Sequence, residues 1–367
     1  MNNLSLFCIL QILLITGASA AEPGQICEYE HDIRTYFCKN IHDTFPNHFY
    51  GNYHLKCVNC SIGIFSNKTF PYTNSLVSFN VSESGIRSIT SRAFSSLSNV
   101  QYIYAQNNDI LDVAPEAFWG LRQVYELHLE NNNIAAIFPG FLADLEASSV
   151  DLKNNKIKTL PKGGFEGSLS ILILDLSKNS IKTIHEDAFL DLESIEVLNL
   201  ETNKICHLTL GLFKHLSTLK QLNLADNNLS KFTIGTFSGL KNLNSLNLAN
   251  NTISVFDSNV LIAFNHLSKL DIAGNGIYYF DAHSLYTNVP TMRLLRIDDN
   301  LLSCGHLINI IKYFKKVNVE VVNISGRYEI QNVNGIACTE MTINHPVEFK
   351  QFLQVVNDDT KKAILYC

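Results

Sequence analysis

A hydrophobic and polar pattern with a period of about 24 residues recurs along most of this 367-residue chain. The pattern is LxxLxLxxNxLxxLxxxxFxxL, and it runs from Leu76 to about Leu302. Successive copies start at a constant interval, except for one interval that is a residue shorter and one that is a residue longer. The copies begin at Leu76, Val100, Val124, Ala147, Ile171, Ile195, Leu219, Leu243, Leu267 and Met292, and the tenth is incomplete. A fixed period of this length indicates a solenoid of stacked coils.

Each copy predicts one short β-strand. In the segment LNLETNKICHL, Leu198 and Leu200 alternate with Asn199 and Glu201, so the leucines face inward and the polar residues outward. Stacking the coils aligns these strands into one parallel sheet. Positions three, five, seven and eight of each copy then form the exposed surface of that sheet.

Two recurring positions predict structural roles. An asparagine at position nine can donate to and accept from the backbone of neighbouring coils. It recurs as Asn108, Asn132, Asn155, Asn179, Asn203, Asn227, Asn251, Asn275 and Asn300. Position nineteen predicts an aromatic spine beneath the convex side. It holds Phe94, Phe118, Phe165, Phe189, Phe213 and Phe237, with Leu142, Leu261 and Leu285 in other copies.

This repeat resembles the extracellular leucine-rich repeat family that includes Toll and Slit ectodomains, over about two thirds of the chain. The resemblance implies an α/β solenoid: a horseshoe with a concave parallel β-sheet and disulfide-stapled caps at both ends. It also implies that the concave sheet recognises proteins or microbial ligands. We expect a signal peptide over 1–20, an N-terminal cap over 21–75, about ten repeats over 76–302, a C-terminal cap over 303–340 and a helical tail over 341–367.

The first residues predict secretion. An apolar stretch from Leu6 to Ile15 precedes Ala18-Ser19-Ala20, which is typical of a signal-peptidase site before Ala21, although the preceding segment has no Lys or Arg. No later stretch reaches the ~20 apolar residues of a membrane span, and no lipid-anchor tail ends the chain. We therefore expect an extracellular protein without an integral membrane segment.

Cysteines mark both caps, and disulfides are their expected state in a secreted chain. Cys27 and Cys38 can staple a hairpin and leave Cys57 and Cys60 to pair, but four cysteines allow three connectivities. The CxxC spacing of Cys57 and Cys60 also occurs in redox motifs and zinc half-sites, although a cap disulfide is the preferred interpretation.

At the other end, the spacing of four apolar residues predicts a short helix across the last coil, stapled by Cys304 and Cys338. The four are Leu307, Ile310, Ile311 and Phe314. This cap opens with a single cysteine and has no Trp in its helix. In that respect, and in its N-terminal hairpin, it resembles the secreted leucine-rich immune proteins of mosquitoes.

Two cysteines are left over. We interpret Cys206 as an unpaired or partly buried thiol, with a bond between chains as its other possible use. Cys367 follows a predicted apolar helical face. It either pairs internally with a cap cysteine or links two chains, for example as a disulfide-linked dimer. That helical face consists of Phe349, Phe352, Leu353 and Val356.

The outward strand positions predict the binding surface. We expect a concave patch centred on five residues, because exposed aromatic and charged side chains together are typical of binding patches. The five are Tyr102, Tyr104, Glu126, His128 and Glu130, and Asp151, Lys153 and Asp175 extend the patch. The convex side and the tail around Phe349 and Cys367 are the alternative faces.

Glycosylation sequons limit which part of the sheet remains open as a binding surface. They lie at Asn59, Asn67, Asn80, Asn228, Asn250 and Asn323. Asn80 and Asn250 fall on outward positions of the first and eighth repeats. If they carry glycans, repeats two to six remain the open part of the sheet.

Composition and motifs exclude other classes. The formal charge of −6, from 28 Lys and Arg against 34 Asp and Glu, argues against a nucleic-acid partner. There is no GxSxG, HExxH or glycine-rich phosphate loop, so we expect no enzyme and no cofactor. His128 lies between Glu126 and Glu130, but as the one histidine in its column it predicts no metal site.

The expected function is soluble innate-immune recognition of an extracellular protein or microbial ligand. The alternative is an adhesion, matrix or developmental protein of the Slit or connectin type. A homodimer with a structural role is a third possibility.

Overall fold

The computed structural model describes residues 26–45, 49, 53–70, 75–97, 99–323 and 331–339. The expected signal peptide and the expected helical tail, with Cys367, lie outside the described residues.

The fold is dominated by one sheet of 14 strands, in which every neighbouring pair is parallel except the first. In pairing order the strands are β1 (Ile26–Glu30), β2 (Thr35–Lys39), β3 (Tyr53–Val58), β5 (Leu76–Asn80), β7 (Tyr102–Tyr104), β9 (Val124–His128), β10 (Ala147–Asp151), β12 (Ile173–Asp175), β14 (Val197–Asn199), β15 (Gln221–Asn223), β16 (Ser245–Asn247), β17 (Lys269–Asp271), β18 (Leu294–Arg296) and β19 (Glu320–Val322). Residues at the same repeat position pair across neighbouring coils, as Leu174, Leu198 and Leu222 do. The predicted parallel-sheet solenoid is confirmed.

Short strands and helices complete the structure outside this sheet. The strands are β4 (Ile64–Phe65), β6 (Ser88–Ile89) and β8 (Asp112–Val113) in one parallel sheet, β11 (Thr159–Leu160) with β13 (Thr183–Ile184) in another, and the antiparallel pair β20 (Asn332–Val333) and β21 (Ile336–Ala337). The helices are a 3₁₀ helix (Ser258–Leu261), α1 (Ala282–Asn288) and α2 (Cys304–Lys316). Helix α1 lies in the longest repeat. Apart from α2, these smaller elements had not been predicted from the repeat pattern.

The position-nine asparagines are buried and form the expected ladder. The Asn132 side-chain oxygen accepts from the Ile110 N–H at 3.1 Å, and its amide donates to the carbonyls of Ala105 at 3.1 Å and Leu129 at 3.0 Å. Each such asparagine therefore satisfies backbone groups in its own coil and in the preceding one.

The phenylalanine spine is present, with one difference from the expected alignment. Phe189, Phe213 and Phe237 stack with ring centroids 6.3 Å apart. In the third repeat, however, Phe141 contacts Phe118 at 6.3 Å, where the pattern had placed Leu142. That repeat is the shortest of the complete ones, and its missing residue moves the preceding side chain into the stack.

Both caps are closed by disulfides, as expected. Cys27 pairs with Cys38 across the β1–β2 hairpin, and Cys57 pairs with Cys60, so that neither of the latter two offers a thiolate to a zinc ion in this state. Cys304 pairs with Cys338.

The predicted cap helix corresponds to α2, which packs Leu307, Ile310 and Phe314 onto the last coil. Its N-cap residue is Ser303, whose hydroxyl accepts from the His306 N–H at 3.3 Å.

Cys206 is also disulfide-bonded and largely buried. The interpretation of this residue as an unpaired thiol is therefore wrong. Its spacing in the repeat could not show this, because a disulfide partner need not lie near it in the sequence.

Among the described residues, no helix has both the length and the apolar character that crossing a bilayer requires.

Candidate functional site

The outward positions of the repeats form four rows that cross the strands. The register pairs Tyr102 with Glu126 in the row of position three, and Tyr104 with His128 in the row of position five. Position seven contributes Glu130 just beyond the end of β9. The five residues expected at the centre of the patch thus lie together on two neighbouring strands and the turn that follows.

Aromatic rings line the start of this surface. Tyr104 stacks on His128 with ring centroids 5.0 Å apart and planes inclined by 18°. Tyr102 lies 5.6 Å from Tyr125, which is half exposed. Burial raises the pKa of Tyr104, and the Glu126 carboxylate adds to that effect. Tyr125 occupies position two of its repeat and was missed, because strand alternation predicts that it faces away.

His128 is held between two carboxylates. Its Nδ1 lies 3.3 Å from Glu130 Oε2, and its Nε2 lies 3.1 Å from Glu126 Oε2. The hydrogen bond to Glu130 and then that to Glu126 raise the pKa of His128 to about 9, although burial opposes this. At neutral pH the imidazole is therefore a cation.

Two aspartates continue the position-five row. Asp151 Oδ1 accepts from the Lys153 backbone N–H, and Asp175 Oδ1 accepts from that of Ser177, both at 2.8 Å. Burial raises the pKa of Asp151, and the nearby carboxylates of Glu130 and Asp175 add to it. Lys153 lies two residues beyond Asp151 on the row of position seven.

Three groups at the centre could hold a metal ion. Ligand atoms of His128, Glu130 and Asp151 all lie within 4.8 Å of one another, and the sequence had not indicated Asp151 as the third. A metal would have to displace the proton of His128, because the imidazolium form offers no nitrogen lone pair. At neutral pH the arrangement is thus that of a cationic histidine in an acidic surround.

Over positions three, five, seven and eight of the ten repeats, the concave face carries more negative than positive charge. Ten carboxylates lie there: Glu83, Glu126, Glu130, Asp151, Asp175, Glu201, Asp226, Asp271, Asp298 and Asp299. Four permanently cationic side chains accompany them: Lys153, Lys178, Lys269 and Arg296. The excess of six carboxylates equals the magnitude of the formal charge of the whole chain, −6.

Two carboxylates near the C-terminal end of the sheet share one arginine. Arg296 Nη1 lies 3.1 Å from Asp271, and its Nε lies 2.9 Å from the fully buried Asp298. The repeat pattern did not indicate this cluster. On the concave positions of repeats four to seven, by contrast, no carboxylate pairs with a Lys or Arg of the described residues.

The two outward sequons lie on either side of the patch. Asn80 ends β5 in the first repeat, and Asn250 is exposed in the eighth. Asn59 and Asn67 are exposed in the N-terminal cap.

Comparison with protein families decides the identity of the repeats. The leucine-rich repeat family matches residues 74–134, 146–205, 196–243 and 217–277, which together make up more than half of the chain. The chain belongs to the leucine-rich repeat family. The matched ranges include all eight residues of the patch. No curated protein sequence matches the chain.

Solved leucine-rich repeat structures share the fold at low sequence identity. In the crystal structure of a TLR13–ssRNA13 complex, the match has 20% identity and a TM-score of 0.52 and covers 71% of this chain. This chain spans 47%, about half, of that TLR13 complex chain. In the octameric complex of Latrophilin 3, Unc5D and FLRT2, whose FLRT2 part is a leucine-rich repeat, a chain matches with 18% identity and a TM-score of 0.57. That match covers 85% of this chain and 94% of the other.

Proposed function

We propose that this leucine-rich repeat protein is a secreted, non-enzymatic binding protein of innate immunity. It recognises an extracellular protein or a microbial ligand through the concave face of repeats two to six. The observation that carries the proposal is the patch of Tyr102, Tyr104, Glu126, His128 and Glu130 on the open face of a continuous sheet. Asp151, Lys153 and Asp175 extend the patch.

The packing of this patch supports a binding role. The ring stack of Tyr104 on His128 and the two carboxylates that hold the imidazole fix these side chains before any ligand arrives. Little side-chain entropy is therefore lost on binding, which favours affinity. Signal-peptide cleavage and glycan attachment at the sequons belong to the same proposal.

A protein ligand fits the charge of the face better than a nucleic acid does. One structural neighbour is a complex with single-stranded RNA, and the other is an assembly of proteins. The excess of carboxylates over Lys and Arg on this concave face repels phosphates.

An adhesion or developmental role is the second candidate. The match to a chain of the FLRT2-containing complex covers 94% of that chain and favours this alternative. Retention on microbial cells would support the immune role, whereas retention only on animal cells would support adhesion.

The experiment places a glycan on the face. Asp175→Asn converts residues 175–177 into the sequon Asn-Leu-Ser in the middle of the patch. His215→Asn creates the same tripeptide at an exposed position after Phe213, away from the concave sheet, and is the matched control. Both variants are secreted from cultured cells, checked for occupancy by mass spectrometry, immobilised and exposed to extracellular proteins and to microbial cells.

Ligands retained by the wild type and by His215→Asn, but lost from Asp175→Asn, would support the proposal. Equal retention by all three proteins would show that the concave face is not the binding surface. Alanine at Tyr102, Tyr104, Glu126, His128 and Glu130 together is the second test, and retention unchanged by it also contradicts the proposal.

A disulfide-linked dimer through Cys367 is a separate part of the proposal, and an internal bond of Cys367 is its alternative. Electrophoresis of the deglycosylated protein with and without reductant tests it. A species of about twice the mass that collapses on reduction supports a disulfide-linked dimer, and a monomer under both conditions rejects it.

A further inference from the structure

Four carboxylates of the concave face form an acidic row: Glu130, Asp151, Asp175 and Glu201. Within the described part of the chain, none of the four lies within ion-pair distance of a Lys or Arg. Among those same residues, the protonated His128 is the one cation in contact with the row, at Glu130. Asp175 and Glu201 accept instead from the amides of Asn199 and Asn223.

Several acidic residues on other surfaces of the protein have an Arg or Lys partner. Glu116, for example, lies 3.1 Å from Arg92, and Glu146 lies 3.0 Å from Arg122. These two carboxylates already have an Arg partner, whereas no Lys or Arg of the described residues pairs with Asp151, Asp175 or Glu201. Burial raises the pKa of Asp151, and the neighbouring carboxylates of Glu130 and Asp175 add to this effect. An added cation beside the row would relieve that repulsion.

An apolar row runs beside the acidic row, near the amino ends of the same strands. It consists of Tyr102, Tyr125, Leu172, Ile173 and Val197, and it is interrupted at β10, where Ser149 occupies position three. Leu172 is 40% exposed, Ile173 is 44% exposed and Tyr125 is 51% exposed, although each lies on or beside a strand of the main sheet. Exposed aliphatic side chains next to each other are typical of a surface that a partner covers.

The spacing of the two rows matches an α-helix that crosses the strands. Neighbouring strands lie about 4.8 Å apart, and successive turns of a helix lie about 5.4 Å apart. Five strands, β7, β9, β10, β12 and β14, span about 19 Å, which is the length of a helix of about 13 residues. Side chains three and four residues apart on such a helix can follow each row.

We propose that repeats two to six bind an amphipathic helix of a partner protein that carries a stripe of Lys or Arg beside a stripe of large apolar residues. The basic stripe lies against the acidic row, and the apolar stripe lies against the apolar row. This inference rests on the proposed function and names the chemistry of its partner.

The cations of the face set the register of such a helix. Lys153 and Lys178 lie at outward positions of repeats four and five, and His128 is already neutralised by Glu126 and Glu130. The basic stripe is centred on the position-five neighbours Asp151 and Asp175, away from the two lysines, and reaches Glu130 and Glu201 at its two ends.

The test uses synthetic helical peptides as probes, with the folded, secreted protein. Each has a length of about 15 residues, enough for its helix to cross the five strands. One peptide has Lys and Leu stripes at helical spacing. A second replaces every Lys by Glu, and a third replaces every Leu by Ser. Binding is measured by fluorescence anisotropy at low and at moderate salt.

Two double variants test the acidic row and the apolar row separately, and a third serves as the control. Asp151→Asn with Glu201→Gln removes two charges of the acidic row but keeps the oxygen atoms that accept from Lys153 and Asn223. Leu172→Gln with Ile173→Gln removes exposed apolar side chains. Glu116→Gln with Glu146→Gln changes the net charge by the same amount at carboxylates that already have Arg partners, and is the matched control.

We expect the Lys/Leu peptide to bind the wild type and the control alike. The acidic-row variant should bind it at least tenfold more weakly, the apolar-row variant should also bind it more weakly, and salt should weaken binding to the wild type. No binding of the Lys/Leu peptide overturns the inference. Equal binding of the Glu/Leu or Lys/Ser peptide, or unchanged binding by the acidic-row variant, also overturns it.

The two proposals fail separately. If the glycan at Asp175→Asn abolishes ligand retention but the Lys/Leu peptide does not bind, the concave face is the binding surface and the helical partner is wrong. If the Lys/Leu peptide binds through the acidic row, but the glycan of Asp175→Asn leaves ligand retention unchanged, the proposed function is wrong.

Discussion

At the scale of single residues, the position-nine asparagines show how one amide replaces several backbone partners. Asn179 accepts from the Ile157 N–H at 3.0 Å and donates to the carbonyls of Leu152 and Leu176, both at 3.0 Å. No other side chain of similar size offers both roles in this geometry. The ladder therefore couples each coil to the preceding one.

Asn179→Ala should lower the free energy of unfolding by about 2–4 kcal/mol, because it leaves several buried backbone groups without a partner. Urea denaturation followed by circular dichroism measures this. Asn133→Ala removes an exposed amide that bonds Asp109 at 3.3 Å and should cost well under ~1 kcal/mol. Equal losses in the two variants would contradict the structural role of the ladder.

His128 predicts a pH dependence of its own. Its pKa rises from 6.5 to about 9 in the folded protein, chiefly because of the hydrogen bond to Glu130. The protonated pair stabilises the fold fully below pH 6.5, and this contribution is lost as the pH rises through 9. At His128 itself, the folded and unfolded states bind different numbers of protons mainly between these two pH values.

The imidazole proton resonances of His128 should therefore titrate near pH 9 in the NMR spectrum of the folded protein. Glu130→Gln should move that midpoint down towards 6.5, while His207, which is exposed, serves as an internal reference. A midpoint near 6.5 in the wild type would show that the carboxylates do not hold the proton.

At the scale of the turn that follows each strand, position eight has a left-handed backbone conformation that had not been predicted. Asn107, Asn131 and Asn154 have φ between +53° and +57°, a region that asparagine tolerates better than most residues. Their side chains bond one another at 2.9 and 2.8 Å, as a second, exposed ladder. The recurring Asn at this position indicates the left-handed conformation, but the sequence pattern had been interpreted only for the buried ladder.

Convex turns depend on glycine for a different reason in different coils. Gly239 has φ +100°, and a Cβ there would overlap the Phe213 carbonyl and the Lys214 backbone of the preceding coil. Gly120 has φ +86°, but nothing lies within 4 Å of the corresponding Cβ position.

Gly239→Ala should therefore destabilise the protein by about 3 kcal/mol or more, since strain and overlap add, whereas Gly120→Ala should cost about 1 kcal/mol from the backbone alone. Thermal unfolding of the two variants compares them directly. If both lose the same stability, close packing between these coils is not what requires Gly239.

At the scale of the whole molecule, stability is a chain of contacts between neighbouring coils, and the caps protect its ends. Helix α2 buries Leu307 and Phe314 on the last coil, and the Cys304–Cys338 disulfide holds the segment after the helix against it. Loss of a cap should therefore destabilise mainly the coils next to it.

Replacing Cys304 and Cys338 by Ser should lower stability by about 2–4 kcal/mol. Hydrogen exchange should speed up in repeats nine and ten and leave repeats two to six unchanged, which serve as the control within the same molecule. Faster exchange along the entire sheet would show that the solenoid unfolds as one unit.

The repeat pattern by itself determined the parallel sheet, the asparagine ladder, the general position of the phenylalanine spine and the rows of outward residues. It could do so because every repeat has the same spacing of inward and outward residues, and residues at the same position of successive coils stack on one another. The position of Tyr102, Tyr104, Glu126, His128 and Glu130 in one patch followed from that rule.

Tertiary structure decided what depends on the contacts between coils and on the exceptions to the period. These include the disulfide bond of Cys206, the entry of Phe141 into the spine, Asp151 beside His128 and Glu130, and the pairing of Arg296 with Asp298. The repeat pattern predicts which positions face outward. The protonation state of a side chain and the residues it pairs with depend instead on distances between neighbouring strands. For that reason only the folded sheet showed that Lys and Arg do not pair with the acidic row, which is the basis of the proposed helical partner.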